Sequence, residues 1–145
     1  MANRFFNSFR NNLLDSSPAT ATDRVDFIDG TIKAVLLDEG AYTYSATHSH
    51  YSDAVAGAIG TPQTIGSPTV GSLGVGIFDG ADVTFTAVTG ASVESILFFH
   101  SNGGANTTWP LIGIIDTVSS GLPVTPNGGD ITITWDNTNG ILKVG

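Results

Sequence analysis

Apolar and polar positions alternate along Asp82-Val83-Thr84-Phe85-Thr86-Ala87, with Val83, Phe85 and Ala87 on one face of an extended chain. A period of two with β-branched and aromatic residues on it is the mark of a half-buried β-strand. Asp79-Gly80 ahead of it and Thr89-Gly90 behind it are turn chemistry, so the pattern predicts a strand within residues 78–88. A near copy returns at Asp130-Ile131-Thr132-Ile133-Thr134-Trp135, behind the turn Pro126-Asn127-Gly128-Gly129. Both are expected among the inner strands of a small antiparallel β-domain.

The remaining apolar runs extend the same picture. Ile32-Lys33-Ala34-Val35-Leu36-Leu37 is nearly continuous, which suits a strand covered on both faces or a first core strand. Val93–His100 reads as another buried strand, and Ser101-Asn102-Gly103-Gly104 as a hairpin turn. Leu111–Asp116 follows, where Gly113 predicts a bulge or a close backbone approach. An extended segment at Leu122–Pro126, a turn at Asp136–Gly140 and a last strand at Ile141–Val144 complete the series. Between residues 57 and 76 the chain is rich in Gly, Thr and Pro, which predicts bulged strand edges or a surface loop. Gly71-Ser72-Leu73-Gly74-Val75-Gly76 superficially suggests a phosphate-cradling loop, but no helix pattern or Gly-Lys-Ser/Thr ending follows it. Short strands separated by turns predict an all-β protein, a compact antiparallel β-sandwich or squashed barrel, with a short N-terminal helix or arm.

That N-terminal piece is set apart by its own period. Phe5, Phe6, Phe9 and Leu13 recur at helical spacing, predicting a short amphipathic helix that needs something to pack against. It either plugs one end of its own β-domain or docks its aromatic face on a neighbouring subunit. Asp15-Ser16-Ser17-Pro18-Ala19-Thr20-Ala21-Thr22-Asp23 is a linker by composition, so the chain divides into an arm with linker, 1–22, and a β-domain, 23–145. For the docking alternative the contact residues are Phe5, Phe6, Phe9, Leu13 and Leu14.

Composition narrows the partners. At 145 residues the chain is one domain by size and long enough for a real core. Charged residues are only 12%, so the surface leans on Ser, Thr, Asn and Gly, as in chains that work packed against neighbours. A formal charge of −8 with only 5 Lys and Arg argues against binding nucleic acid. Cysteine is absent, no run approaches a membrane span, and the start is too polar for a signal peptide, so synthesis in a cytoplasm is the simplest expectation.

Candidate chemistry is sparse. Ala41–Ala56 holds Thr47, a possible cap of a short helix that would stack Tyr51 on Val55, and a His48-x-His50 pair with Asp53 nearby. Imidazoles with a carboxylate can ligate zinc, yet a third ligand such as His100 would have to come from afar, and hydrogen-bonded turn roles are the expected reading. Asp79, Asp82, Asp116, Asp130 and Asp136 sit at turns, where aspartates usually bond their own backbone rather than gather calcium. No Gly-x-Ser-x-Gly elbow, cysteine nucleophile or His-Glu-x-x-His motif occurs, so no enzyme, no catalytic residue, no cofactor and no metal are expected. Tyr42, Tyr44, Tyr51 and Trp109 leave open a carbohydrate-binding β-sandwich, because exposed rings stack on sugars.

Several blocks carry a further likeness. Arg4-Phe5-x-Asn7-Ser8-Phe9, Leu13-Leu14-Asp15, Thr31–Leu37, His50–Val55, Phe78–Thr84, Pro110–Asp116 and Gly129–Asp136, in that order, resemble a widespread family of tailed-bacteriophage virion structural proteins. The chain departs from that family at Phe99-His100-Ser101-Asn102, where members often carry a Tyr-Lys-Asp segment; the strand pattern survives the change. The resemblance implies incorporation into a virion. From it we expect a capsid decoration, or cement, protein: a homotrimer bound to the major capsid protein on the outer capsid surface at capsomer junctions, made in the host cytoplasm, with neither nucleic acid nor membrane as partner. A tail, baseplate or fibre-associated module is the alternative within the same particle.

Overall fold

A computed structural model describes residues 3–15 and 23–145. The linker expected between the N-terminal segment and the rest lies outside the described residues except at its two ends.

The described residues form ten strands in three antiparallel sheets, a sandwich-like arrangement and not a closed barrel. The largest sheet has five strands: β1 (Arg4–Phe5), β2 (Thr31–Leu37), β3 (Ala58–Thr64), β7 (Ser95–Ser101) and β8 (Leu111–Ile115), in the order β1-β8-β7-β2-β3. A second sheet contains β4 (Thr69–Val70), β5 (Ile77–Asp79) and β10 (Leu142–Lys143), ordered β10-β5-β4. The third pairs β6 (Val83–Phe85) with β9 (Ile131–Ile133). The single helix, α1, spans Asn7–Leu14.

Continuous hydrophobicity in β2 and β7 has a direct cause, because the five-stranded sheet is covered on both faces. Ile32, Ala34 and Leu36 of β2 join Ile96 and Phe98 of β7 in one core, against Phe78, Val83, Phe85, Trp135 and Leu142 from the smaller sheets and their flanks. Val35 and Leu37 point the other way with Leu97, Phe99 and Leu111, beneath Tyr42, Tyr51 and Ala54 from the loop after β2. Alternate residues of one strand therefore feed two cores, and only the strand ends, at Thr31 and Lys33 of β2 and His100 and Ser101 of β7, reach solvent.

The two strands with matching patterns do find each other. Val83 pairs with Ile133 and Phe85 with Ile131, while the outward Thr84 and Thr132 share a 2.9 Å hydroxyl hydrogen bond. They are not inner members of the main sheet, however; they form a separate ribbon over one of its faces. The strand also stops at Phe85. Ala87 turns into the left-handed region at φ +49°, with its N–H donated to Asp130 Oδ1, and the shift buries Val88 in place of Ala87.

Two departures from regularity explain features of the sequence. Phe98 pairs with Gly113 but Phe99 with Leu111, so Ile112 is an extra residue in β8, and the bulge leaves Ile112 facing the same core as Phe98, the partner of its neighbour Gly113. Gly113 itself lies against β1: a Cβ there would be 2.9 Å from the Arg4 carbonyl oxygen. Strand β3 was hidden from the apolar pattern because it is an edge strand carrying Gly60 and Pro62, with a register shift opposite Val35. Proline is tolerated there because an edge strand has one side of its backbone unpaired.

Residues 3–15 fold over the free edge of β8. Strand β1 pairs with it at Arg4–Ile114 and Phe5–Gly113, and the Phe6 N–H continues the ladder to the Ile112 carbonyl. Phe6 then enters the core beneath Tyr42, while Phe9, one helical turn on, enters the core on the opposite face of the sheet. One short segment thus clips both layers.

Candidate docking surface

Of the five residues expected to grip a neighbour, the structure divides the set. Phe6 and Phe9 are buried within this chain, because the edge of β8 holds the segment where its aromatic rings reach both cores. Phe5 is partly buried, and Leu13 and Leu14 remain exposed, at 47% and 91%. What α1 leaves available to a partner is therefore its C-terminal end, at Leu13 and Leu14, and not the buried Phe9.

Leu13 belongs to a larger apolar feature that sequence proximity could not indicate. Together with Phe5, Phe27, Val70, Leu142 and Val144 it walls a groove of about 160 Å³ between α1 and the β10-β5-β4 sheet. The floor is aromatic: the Phe5 and Phe9 rings are 5.2 Å apart, Phe9 and Phe27 5.9 Å, Phe27 and Phe78 4.7 Å. Leu13, Val70 and Val144 are all exposed on its rim, and the hairpin that carries Val70 also presents the exposed Val75. Single exposed leucines need no explanation; several exposed apolar residues converging on one groove make it the candidate site.

The histidines do not converge. His48 Nδ1 shares a 2.9 Å hydrogen bond with the Tyr42 hydroxyl, His50 Nε2 lies 3.0 Å from Asp23 Oδ1, and His100 Nδ1 is 3.0 Å from the Arg24 carbonyl oxygen. Asp53, the carboxylate in the candidate metal pattern, accepts the N–H groups of Ser49 and His50. Burial opposes its ionisation, but those two N–H bonds and the nearby imidazoles outweigh it and hold the carboxyl below its usual range. The same bonds start a 3₁₀ turn at Tyr51–Asp53, followed by another at Val55–Gly57, in place of the expected helix capped by Thr47. Tyr51 is buried and Val55 exposed, so the two do not share a face. Among the described residues no group of three or more His, Asp or Glu gathers as a metal site would require.

Of the turn aspartates only Asp136 bonds the backbone of its own turn among the described residues; Asp82, Asp116 and Asp130 bond residues distant in sequence, and Asp79 Oδ1 is buried with no hydrogen-bond partner among them. Asp136 accepts the N–H groups of Thr138 and Asn139, Asp82 accepts that of Trp135, and Asp116 meets Arg4 at 3.4 Å.

Of the four rings proposed for sugar stacking, Tyr42 and Tyr51 are buried and Tyr44 and Trp109 are partly exposed. Tyr42 and Tyr51 are core residues, and Tyr51, Phe99 and Trp109 form a cluster of nearly parallel rings, with Tyr51 and Phe99 centroids 4.2 Å apart. Tyr44 lies under the Arg4 guanidinium at 3.9 Å, and its hydroxyl donates to the Phe5 carbonyl oxygen. Burial pushes the Tyr42 hydroxyl up to about 12 and raises Tyr51 as well. The folded state holds the Tyr42 proton more tightly than the unfolded chain does. Stability from this group is then complete below pH 10 and is lost as pH rises toward 12. A tyrosinate absorbance titration of the native protein is expected to lag that of the denatured chain, with two of the three tyrosines ionising late. A native curve superimposing on the denatured one would place Tyr42 and Tyr51 in solvent.

Among the described residues no helix is long and apolar enough to cross a membrane. Compared with models of known protein families the chain matches none, and no curated protein matches it.

Proposed function

We propose that this chain is a structural protein of a tailed-bacteriophage particle, and that it decorates the head, binding the major capsid protein at capsomer junctions as a homotrimer. The blocks that resemble virion structural proteins support the particle; placement on the head is our inference. The observation that carries a binding role is the apolar groove between α1 and the β10-β5-β4 sheet, with Leu13, Val70 and Val144 exposed around it. A clamp across capsomers resists the outward pressure of packaged DNA, and local three-fold axes suit a three-copy assembly.

Point variants test this better than truncation. Removing residues 2–20 would take Phe6 and Phe9 out of the cores, so lost binding would report only lost folding. Leu13→Asp and Leu14→Asp leave the cores intact. Burying a leucine is worth roughly 1.5–3 kcal/mol, so each variant is expected to weaken binding to stripped heads by about tenfold or more, at unchanged melting temperature. Full-strength binding by both variants, or a particle reconstruction without this chain, would overturn the reading.

A further inference from the structure

Beside the apolar groove lies a second one of about 210 Å³, and three of the chain's five basic residues line it: Arg4, Arg10 and Lys143. The chain carries 13 Asp and Glu, yet none of them lines this groove. The three cations come from different elements, β1, α1 and β10. Folding alone gives no reason to gather them, since like charges brought close repel. Arg4 is engaged with Asp116 and stacked on Tyr44. Arg10 and Lys143 are exposed and make no ion pair among the described residues, so the uncompensated positive charge is theirs.

The rest of the lining is apolar. Phe5, Ile114, Ile141 and Leu142 contribute to it, and Phe5 and Leu142 also wall the neighbouring groove, so the two run together. We infer that this continuous surface binds a short acidic and apolar segment of a partner protein, with carboxylates beside Arg10 and Lys143 and an apolar side chain seated toward Leu13 and Val144. The inference stands on the chemistry of the grooves and holds whether or not the chain belongs to a virion.

Charge decides against the other occupants. A nucleic acid would gain from two uncompensated cations only a small counterion-release term, against a molecule of formal charge −8. Phosphate has no use for an apolar floor. A second copy of this chain brings the same −8 with it. For an acidic peptide the long-range repulsion is screened beyond about 10 Å at ordinary salt, whereas attraction inside the groove acts at closer range.

The test uses fluorescein-labelled twelve-residue peptides and the intact protein, read by fluorescence polarisation. A peptide alternating Asp and Leu is expected to bind. One alternating Asp and Ser, and one alternating Lys and Leu, are expected to bind at least about tenfold more weakly, because each lacks one half of the recognition. The double variant Arg10→Glu/Lys143→Glu, with its melting temperature checked, should lose the Asp/Leu peptide by a similar factor, while Arg24→Gln retains it. Equal binding of all three peptides, an unaffected double variant, displacement by millimolar inorganic phosphate or single-stranded DNA, or self-association that the double variant abolishes would each overturn the inference. So would an Asp/Leu peptide that fails to bind.

Discussion

Truncation of Phe9 to alanine is expected to destabilise the protein by roughly 3–5 kcal/mol, and truncation of Phe6 by a similar amount. Both rings are almost wholly buried, Phe9 among Ile32, Phe78 and Ile112, Phe6 among Val35, Tyr42 and Leu111. A domain of this size has about 5–15 kcal/mol in total, so either loss is a large part of it. The measurement is chemical denaturation of each variant. Because the two residues serve opposite faces of one sheet, milder variants should also behave independently: Phe6→Leu and Phe9→Leu, each costing about 1 kcal/mol, should add in the double variant. A segment that worked as a free arm would give the opposite result, with Phe6→Ala and Phe9→Ala leaving the denaturation midpoint unmoved.

The second large effect is expected at Phe99. Its ring is nearly parallel to Tyr51 at 4.2 Å and to Trp109 at 5.6 Å, which lie 5.8 Å from each other, and it is fully buried. Phe99→Ala removes the fully buried member of this ring cluster and should cost roughly 3–5 kcal/mol, because the surrounding core closes the cavity only in part. The loss should be visible optically as well as thermodynamically. Near-ultraviolet circular dichroism and the emission of Trp109 should change in Phe99→Ala, while the far-ultraviolet spectrum persists below the melting transition. A variant within about 1 kcal/mol of the parent would mean that the loop at 41–57 covers this face loosely and supplies little of the stability.

How much of this was legible in the sequence depends on what each signal encodes. Strands β2, β7 and β8 announced themselves because burial on both faces demands apolar residues at consecutive positions. The matching patterns of β6 and β9 were visible too, but alternation says which side of a strand is buried and nothing about which sheet holds it. β1 and β4, at two residues each, are too short for any period, and β3 was masked by its glycine and proline. At the N-terminus, helical spacing grouped Phe5, Phe6, Phe9 and Leu13 on one stripe. It could not show that Phe6 precedes α1 in extended conformation, which sends it to the far side of the sheet.

The candidate surface was legible only in part, for a related reason. Leu13 and Leu14 stood out as apolar residues beside a linker. Their companions Val70, Leu142 and Val144 come from strands that meet α1 only in the folded chain, and Arg10 and Lys143 lie near opposite ends of the sequence. Neither a run nor a spacing joins them.

Asn3 and Lys143 line one and the same groove, and this bears on how the molecule is handled in the laboratory. A purification tag fused after Gly145 starts two residues from Lys143, beside this surface, where a polyhistidine tail, itself basic when protonated, would attract the same acidic peptides. The turn at Asn102–Gly104 is a cleaner attachment point. It joins β7 to the start of β8 with open space around Gly103, whose φ of +81° favours glycine, so an insertion there keeps Gly103 itself. An epitope inserted there reports on the protein without competing for its grooves.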